Sequence, residues 1–163
     1  MTLVAIDGRA GAGKTTLATK LAREWSNKNS VAIIHMDDLY NGWDDALSES
    51  LTYSLQDIVR RHLSGELIEY KKYNWITQQF DEVEIIEPVD ILILEGVGAG
   101  QKSVRDAGAS LYWLDIEPDV GITRVLNRDG HHIADEMARW MVRQELHFLS
   151  DKTRENAEHI LSS

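Results

Sequence analysis

The sequence predicts a three-layer α/β protein: a mostly parallel sheet of about five strands with helices on both faces. Three observations lead there. Short apolar runs ended by glycine or acidic residues alternate with longer stretches of helical periodicity. The apolar runs are nearly continuous, as in strands buried on both faces. A glycine-rich turn joins the first run to the first helical stretch.

Each element follows in order. TLVAID (Thr2 to Asp7) reads as a buried strand. KTTLATKLAREWSNK (Lys14 to Lys28) places Leu17, Leu21 and Trp25 at helical spacing. VAIIHM (Val31 to Met36) reads as a second strand. The helical stretch from Leu51 to Leu63 sets Leu51, Leu55, Ile58, Val59, His62 and Leu63 on one face. VDILILEG (Val89 to Gly96) is the most apolar strand candidate, and SLYWLDIE (Ser110 to Glu117) is the next. Pro118 precedes the helical DVGITRVLNRD, where its missing N–H is tolerated. The stretch from Asp135 to Asn156 aligns Met137, Trp140, Met141, Gln144 and Phe148 along one face. EHILSS is a weak terminal strand. The middle, 40–90, is more polar and less regular, and is expected to face substrate.

Length and charge bound the function. A chain of 163 residues implies one domain, 1–163. Lys and Arg number 17 against 27 Asp and Glu, a net charge of −10. That balance disfavours a nucleic-acid or anionic-membrane partner, since no positive excess exists to neutralise a polyanion. With no cysteine, disulfides and Cys-bound metals are excluded. The N-terminus lacks the pattern of a signal peptide, and no apolar run is long enough to span a membrane. A cytoplasmic protein is expected. A homodimer is compatible with the composition.

The glycine-rich turn carries the chemistry. Gly8, Gly13, Lys14 and Thr15 fit G-x-x-x-x-G-K-[ST], between a strand and a helix. The strand stops, the loop wraps an anion with its N–H groups, and the helix points its positive end at the same anion. Gly8, Ala10, Gly11, Ala12, Gly13, Lys14, Thr15 and Thr16 are therefore expected to hold the phosphates of a nucleotide. Lys14 would bridge the β- and γ-phosphates, and the Thr15 hydroxyl would ligate Mg²⁺. Lys14, on the first turn of a helix, is expected to be little buried. The fold expected is that of the P-loop NTPases.

This loop does not by itself separate a kinase from another NTPase. The second strand runs into HMDDLYNGW, placing an Asp pair at the carboxyl edge where ligands bind in parallel sheets. With Asp37-Asp38-Leu39-Tyr40 the sequence resembles the uridine kinase family of P-loop kinases, together with phosphoribulokinase and the bacterial type of pantothenate kinase. The resemblance implies that Asp37 is the catalytic base and Asp38 is not. ILILEG resembles the family's third strand, and Glu95 would then hold Mg²⁺ with Thr15. TRVLNRDG resembles the arginine-rich lid of such kinases, over about 124–134, with Arg124 and Arg128 neutralising the transferring phosphoryl. In KKYNWITQQF, Tyr73-Asn74-Trp75 stands where uridine kinases have Tyr-Asp-Phe, and Gln78 where they have a histidine.

The function expected is transfer of the γ-phosphoryl of ATP to a hydroxyl of a nucleoside, sugar or vitamin. The alternative is a nucleotide-binding or NTPase regulatory protein with no small-molecule acceptor. Tyr40, Trp43, Tyr73 and Trp75 are expected to touch the acceptor. Trp25, Trp113 and Trp140 are expected in the core, and His35 is expected to be a satisfied core histidine. For Arg9, contact with nucleotide and plain solvent exposure are both open.

Overall fold

The computed structural model describes all 163 residues. In chain order they form β1 (Thr2–Gly8), α1 (Lys14–Trp25), β2 (Val31–His35), α2 (Glu49–Leu63), β3 (Ile68–Asn74), β4 (Gln79–Ile86), β5 (Ile91–Glu95), α3 (Lys102–Asp106), β6 (Ser110–Asp115), α4 (Pro118–Asp129), α5 (Ala134–Asp151) and β7 (His159–Ser162). Strands β2-β5-β1-β6-β7 make one sheet in that order, and every pairing in it is parallel. The most apolar run, β5, is buried at every residue and lies beside β1, which is buried from Leu3 to Gly8. Central parallel strands are covered on both faces, so their sequences lose the alternation of a half-exposed strand.

Two apolar layers flank the sheet. On one face α1 packs Leu17, Leu21 and Trp25 against Val4, Ile6, Ile91, Ile93 and Leu114. On the other, α2, α3, α4 and α5 cover Leu3, Ala5, Ile34, Leu92 and Leu94. Helix α2 buries Leu51, Leu55, Ile58, Val59 and His62, while Leu63 is exposed rather than on the buried face. Helix α5 buries Met137, Trp140, Gln144 and Phe148. No helix is long and apolar enough to cross a membrane.

Several boundaries differ from the sequence reading. Helix α1 stops at Trp25, short of Lys28. Helix α5 stops at Asp151, because Lys152 turns left-handed and residues Arg154–Asn156 tighten into a 3₁₀ turn. The polar middle holds, beyond α2, an antiparallel hairpin of β3 and β4 that forms its own two-stranded sheet. Its alternation is real from Ile68 to Lys72. An irregularity between Lys72 and Tyr73 then switches the inward phase, so no period of two runs through. The hairpin packs on α2 and on the 3₁₀ turn Met36–Asp38 that follows β2.

Candidate functional site

The sheet brings three strand ends together at its carboxyl edge. Ile6 of β1 and His35 of β2 both stand level with Glu95 of β5. The chain leaves β1 through the glycine-rich loop and enters α1. That helix has no side-chain cap and no acidic residue in its first turn. Its first N–H groups and positive end are thus left for an anion. Gly11, at φ 82°, backs directly onto the backbone of Gly121 in α4, where a Cβ on either would collide. The loop and α4 therefore meet backbone to backbone.

Lys14 is buried, at 9% exposed, contrary to the expectation of slight burial. Its ammonium donates to the Arg9 carbonyl at 2.9 Å. Desolvation lowers its pKa, and the negative charges of Asp7, Glu95 and Asp37 oppose the shift. The Thr15 hydroxyl donates to Glu95 Oε1 at 3.0 Å. His35 Nδ1 bonds the same carboxylate oxygen. Its side chain is half-exposed, so His35 is a site residue rather than a core histidine. Its pKa is raised, chiefly by the hydrogen bond with Glu95.

Asp37 lies in the 3₁₀ turn after β2, with Glu95, Lys14 and Arg128 among the charges that act on its carboxyl. Desolvation there and the neighbouring Glu95 charge raise its pKa, while Lys14 and Arg128 pull it down. Asp38 turns toward the hairpin, with Lys72 Nζ at 3.9 Å. Gly96, at φ 135°, follows Glu95 where a Cβ would strike the Met36 side chain. The ends of β2 and β5 therefore sit in direct contact.

The two arginines of α4 part company. Arg128 pairs with Asp129 and lies within the field of Asp37, Glu95 and Lys14. Arg124 donates to the Gly11 carbonyl at 3.3 Å and to Ser163 Oγ at 2.6 Å. It braces the phosphate loop through the Gly11 carbonyl.

The aromatic residues also divide. Tyr40 is buried, its hydroxyl donated to the Val97 carbonyl at 2.6 Å and its ring against Trp140. This corrects its expected place at the acceptor. Tyr73 is buried as well, edge-on to Trp75 and Phe80. Trp75 is exposed and Trp43 is partly buried against the core, with ring centroids 5.5 Å apart. Trp75 Nε1 donates to the Asp37 carbonyl at 3.0 Å, which fixes the hairpin turn beside the carboxylate.

Four residues went unrecognised in the sequence. Asp7, fully buried, accepts N–H groups from Gly8, Gly98 and Gly100 and so ties the phosphate loop to the chain after β5. Burial raises its pKa against those hydrogen bonds. A lone carboxylate ending an apolar strand was its signal. Helix α5 supplies the others: Gln144 accepts the Ala10 N–H at 3.1 Å, Glu145 accepts from Arg9, and Arg143 donates to the Trp43 carbonyl at 3.1 Å. Arg9 is therefore an anchor of the loop. Of these three, only Gln144 left a trace in sequence, as a polar residue on an apolar face.

The Thr15 hydroxyl and Glu95 carboxylate are hard oxygen donors held side by side, a set that suits Mg²⁺, which takes few protein ligands. No family model matches the sequence. A uridine kinase from Leuconostoc citreum is 31% identical over 142 residues, covering 78% of this chain and 68% of the relative. One from Latilactobacillus sakei is 26% identical over 144 residues, covering 78% of this chain and 66% of the relative. The chain thus spans about two thirds of the length of the curated relatives it matches. Among solved structures, a possible uridine kinase from Bacillus stearothermophilus superposes with a TM-score of 0.73 at 19% identity, covering 98% of this chain and 88% of that one.

Proposed function

Because this chain belongs to the uridine kinase-like family of P-loop kinases, we propose that it moves the γ-phosphoryl of ATP to a hydroxyl of a small molecule. The observation that carries this reading is the meeting of Lys14, Thr15, Glu95 and Asp37 at one edge of the sheet. A phosphate loop alone would serve any NTPase. A carboxylate in the same crevice, in the field of the loop lysine, serves a reaction in which a hydroxyl must lose its proton.

In this reading the loop amides from Gly11 to Thr16 and the α1 N-terminus hold the phosphates. Lys14 swings from the Arg9 carbonyl onto the β- and γ-oxygens. Thr15 and Glu95 would hold Mg²⁺, which offsets charge on the phosphates when bound. Asp37 takes the acceptor proton as the hydroxyl attacks. Arg128 neutralises charge on the transferring group, and Arg124 keeps the loop in shape. Residues 124–134 act as the lid and 40–90 as the acceptor side of a one-domain cytoplasmic enzyme. Trp43 and Trp75 offer flat apolar contact to the acceptor, which suits a nucleoside, a sugar face or a vitamin ring.

The test is ADP release from MgATP across a panel of nucleosides, sugars and vitamins. One class should stimulate release well above the rate without acceptor. Lys14→Ala should abolish that stimulation while its circular dichroism stays that of the parent. ATP hydrolysis indifferent to every acceptor would instead favour an NTPase without a small-molecule partner.

A further inference from the structure

Three consecutive side chains of α5 reach two different loops. Arg143 Nη1 donates to the Trp43 carbonyl at 3.1 Å and to Asp44 Oδ1 at 3.0 Å. Gln144, with none of its surface exposed, accepts the Ala10 N–H at 3.1 Å. Glu145 accepts from Arg9 through both carboxylate oxygens. Successive helical residues diverge by about 100°, so positions 143 and 145 face nearly opposite sides. The helix therefore stands between the loop that carries Trp43 and the loop that carries the phosphate-binding amides.

These contacts are of a kind that transmits position. The Ala10 N–H is spent on Gln144, so the entry of that loop is tied to the helix and a displacement of one is carried to the other. Arg143 bonds a backbone carbonyl at Trp43, so it holds the main chain under the indole rather than a mobile side chain. Trp43 also packs on Trp140 of the same helix, with centroids 6.1 Å apart. Helix α5 begins directly after the 3₁₀ turn His131–Ile133, so any closure of the lid also pulls on it.

We infer that Arg143, Gln144 and Glu145 are positioning residues that join the nucleotide loop to the acceptor wall through α5, so that filling the first moves the second. The inference rests on the kinase reading above, since it assumes that the glycine-rich loop binds a nucleotide and that Trp43 lines the acceptor side.

The test needs no acceptor. The full chain is titrated with the non-hydrolysable analogue AMP-PNP and Mg²⁺, following heat for affinity and tryptophan emission for movement of the wall. In the parent, binding shifts the emission, and Trp43→Phe removes most of that shift. In Arg143→Met the analogue binds with a Kd within about twofold of the parent, but the shift is lost, and Arg143→Lys restores part of it. Gln144→Met and Glu145→Gln each weaken binding about fivefold, the scale of one lost hydrogen bond. Thermal melting checks that each variant is folded. If Arg143→Met does not fold, the same loss of shift is required of Arg143→Gln, whose shorter side chain withdraws the guanidinium from the Trp43 carbonyl.

A full emission shift in folded Arg143→Met or in its substitute overturns the inference while leaving the kinase reading intact. So does parent-like affinity in both Gln144→Met and Glu145→Gln. A parent that does not bind AMP-PNP overturns the kinase reading itself.

Discussion

Asp37 and Asp38 are neighbours in sequence with opposite surroundings. Asp37 stands in the crevice with Glu95, Lys14 and Arg128, whereas Asp38 is drawn to Lys72 of the hairpin. Asp37→Asn should lower turnover by at least about a hundredfold, the span of a lost general base, with nucleotide affinity nearly unchanged by calorimetry. Asp38→Asn should be far milder. Equal loss of nucleotide affinity in both would make Asp37 a nucleotide or metal ligand instead. A base works deprotonated, and crevice burial followed by the Glu95 charge raises the Asp37 pKa above its ordinary 3.8. The acid limb of kcat/KM should therefore lie above pH 3.8, and a limb at or below that value would assign the proton to another group. At this scale the sequence was partly legible. Lys14, Thr15, Asp37 and Glu95 could be named because their chemistry depends on local spacing and strand ends. Asp7, Arg143 and Glu145 could not, because apart from Gly8 beside Asp7 their partners lie 91 residues or more away along the chain.

Among the elements, the β3–β4 hairpin was the least legible and has the most to say about the acceptor. Its outer face keeps Val83 and Ile85 in solvent, so hydropathy does not mark it as a strand pair, and the phase change at Tyr73 hides the rest. The central strands β1 and β5 were plain, because burial on both faces writes an unbroken apolar run. The paired indoles give a prediction. Trp75 is 38% exposed and donates one hydrogen bond to Asp37. Trp75→Ala should raise the acceptor KM with the ATP KM unchanged and only a small fall in Tm. Trp43 packs on both Trp75 and Trp140, so Trp43→Ala should raise the same KM at a larger cost in Tm. Normal acceptor kinetics in both variants would reduce these rings to packing. Helix α4 gives another. Gly121→Ala would place a methyl against the Ala10 carbonyl. It should push α4 off the phosphate loop and weaken nucleotide binding at least several-fold, measured by calorimetry against a folded control.

Across the whole molecule the two apolar layers are unequal: one cluster of 24 buried residues under α2 to α5, and one of 7 under α1. Leu94→Ala, from a fully buried position in the larger layer, should cost about 3 kcal/mol by chemical denaturation, within the range for large-to-small changes in a core. Leu17→Ala, half-buried in the thinner layer, should cost clearly less. The hairpin pairs with no strand of the parallel sheet, although its Ile68 is buried in the larger layer. It hangs from the connection between α2 and β5 and meets the catalytic edge through the turn Met36–Asp38 and the Trp75 indole. In evolutionary terms it is an exchangeable cassette. Outside the buried Ile68 and Tyr73, substitutions between residues 68 and 86 touch no strand pairing of the parallel sheet. Related chains could thus change what they phosphorylate while inheriting the phosphate loop unchanged, and a grafted hairpin should carry its acceptor preference with it.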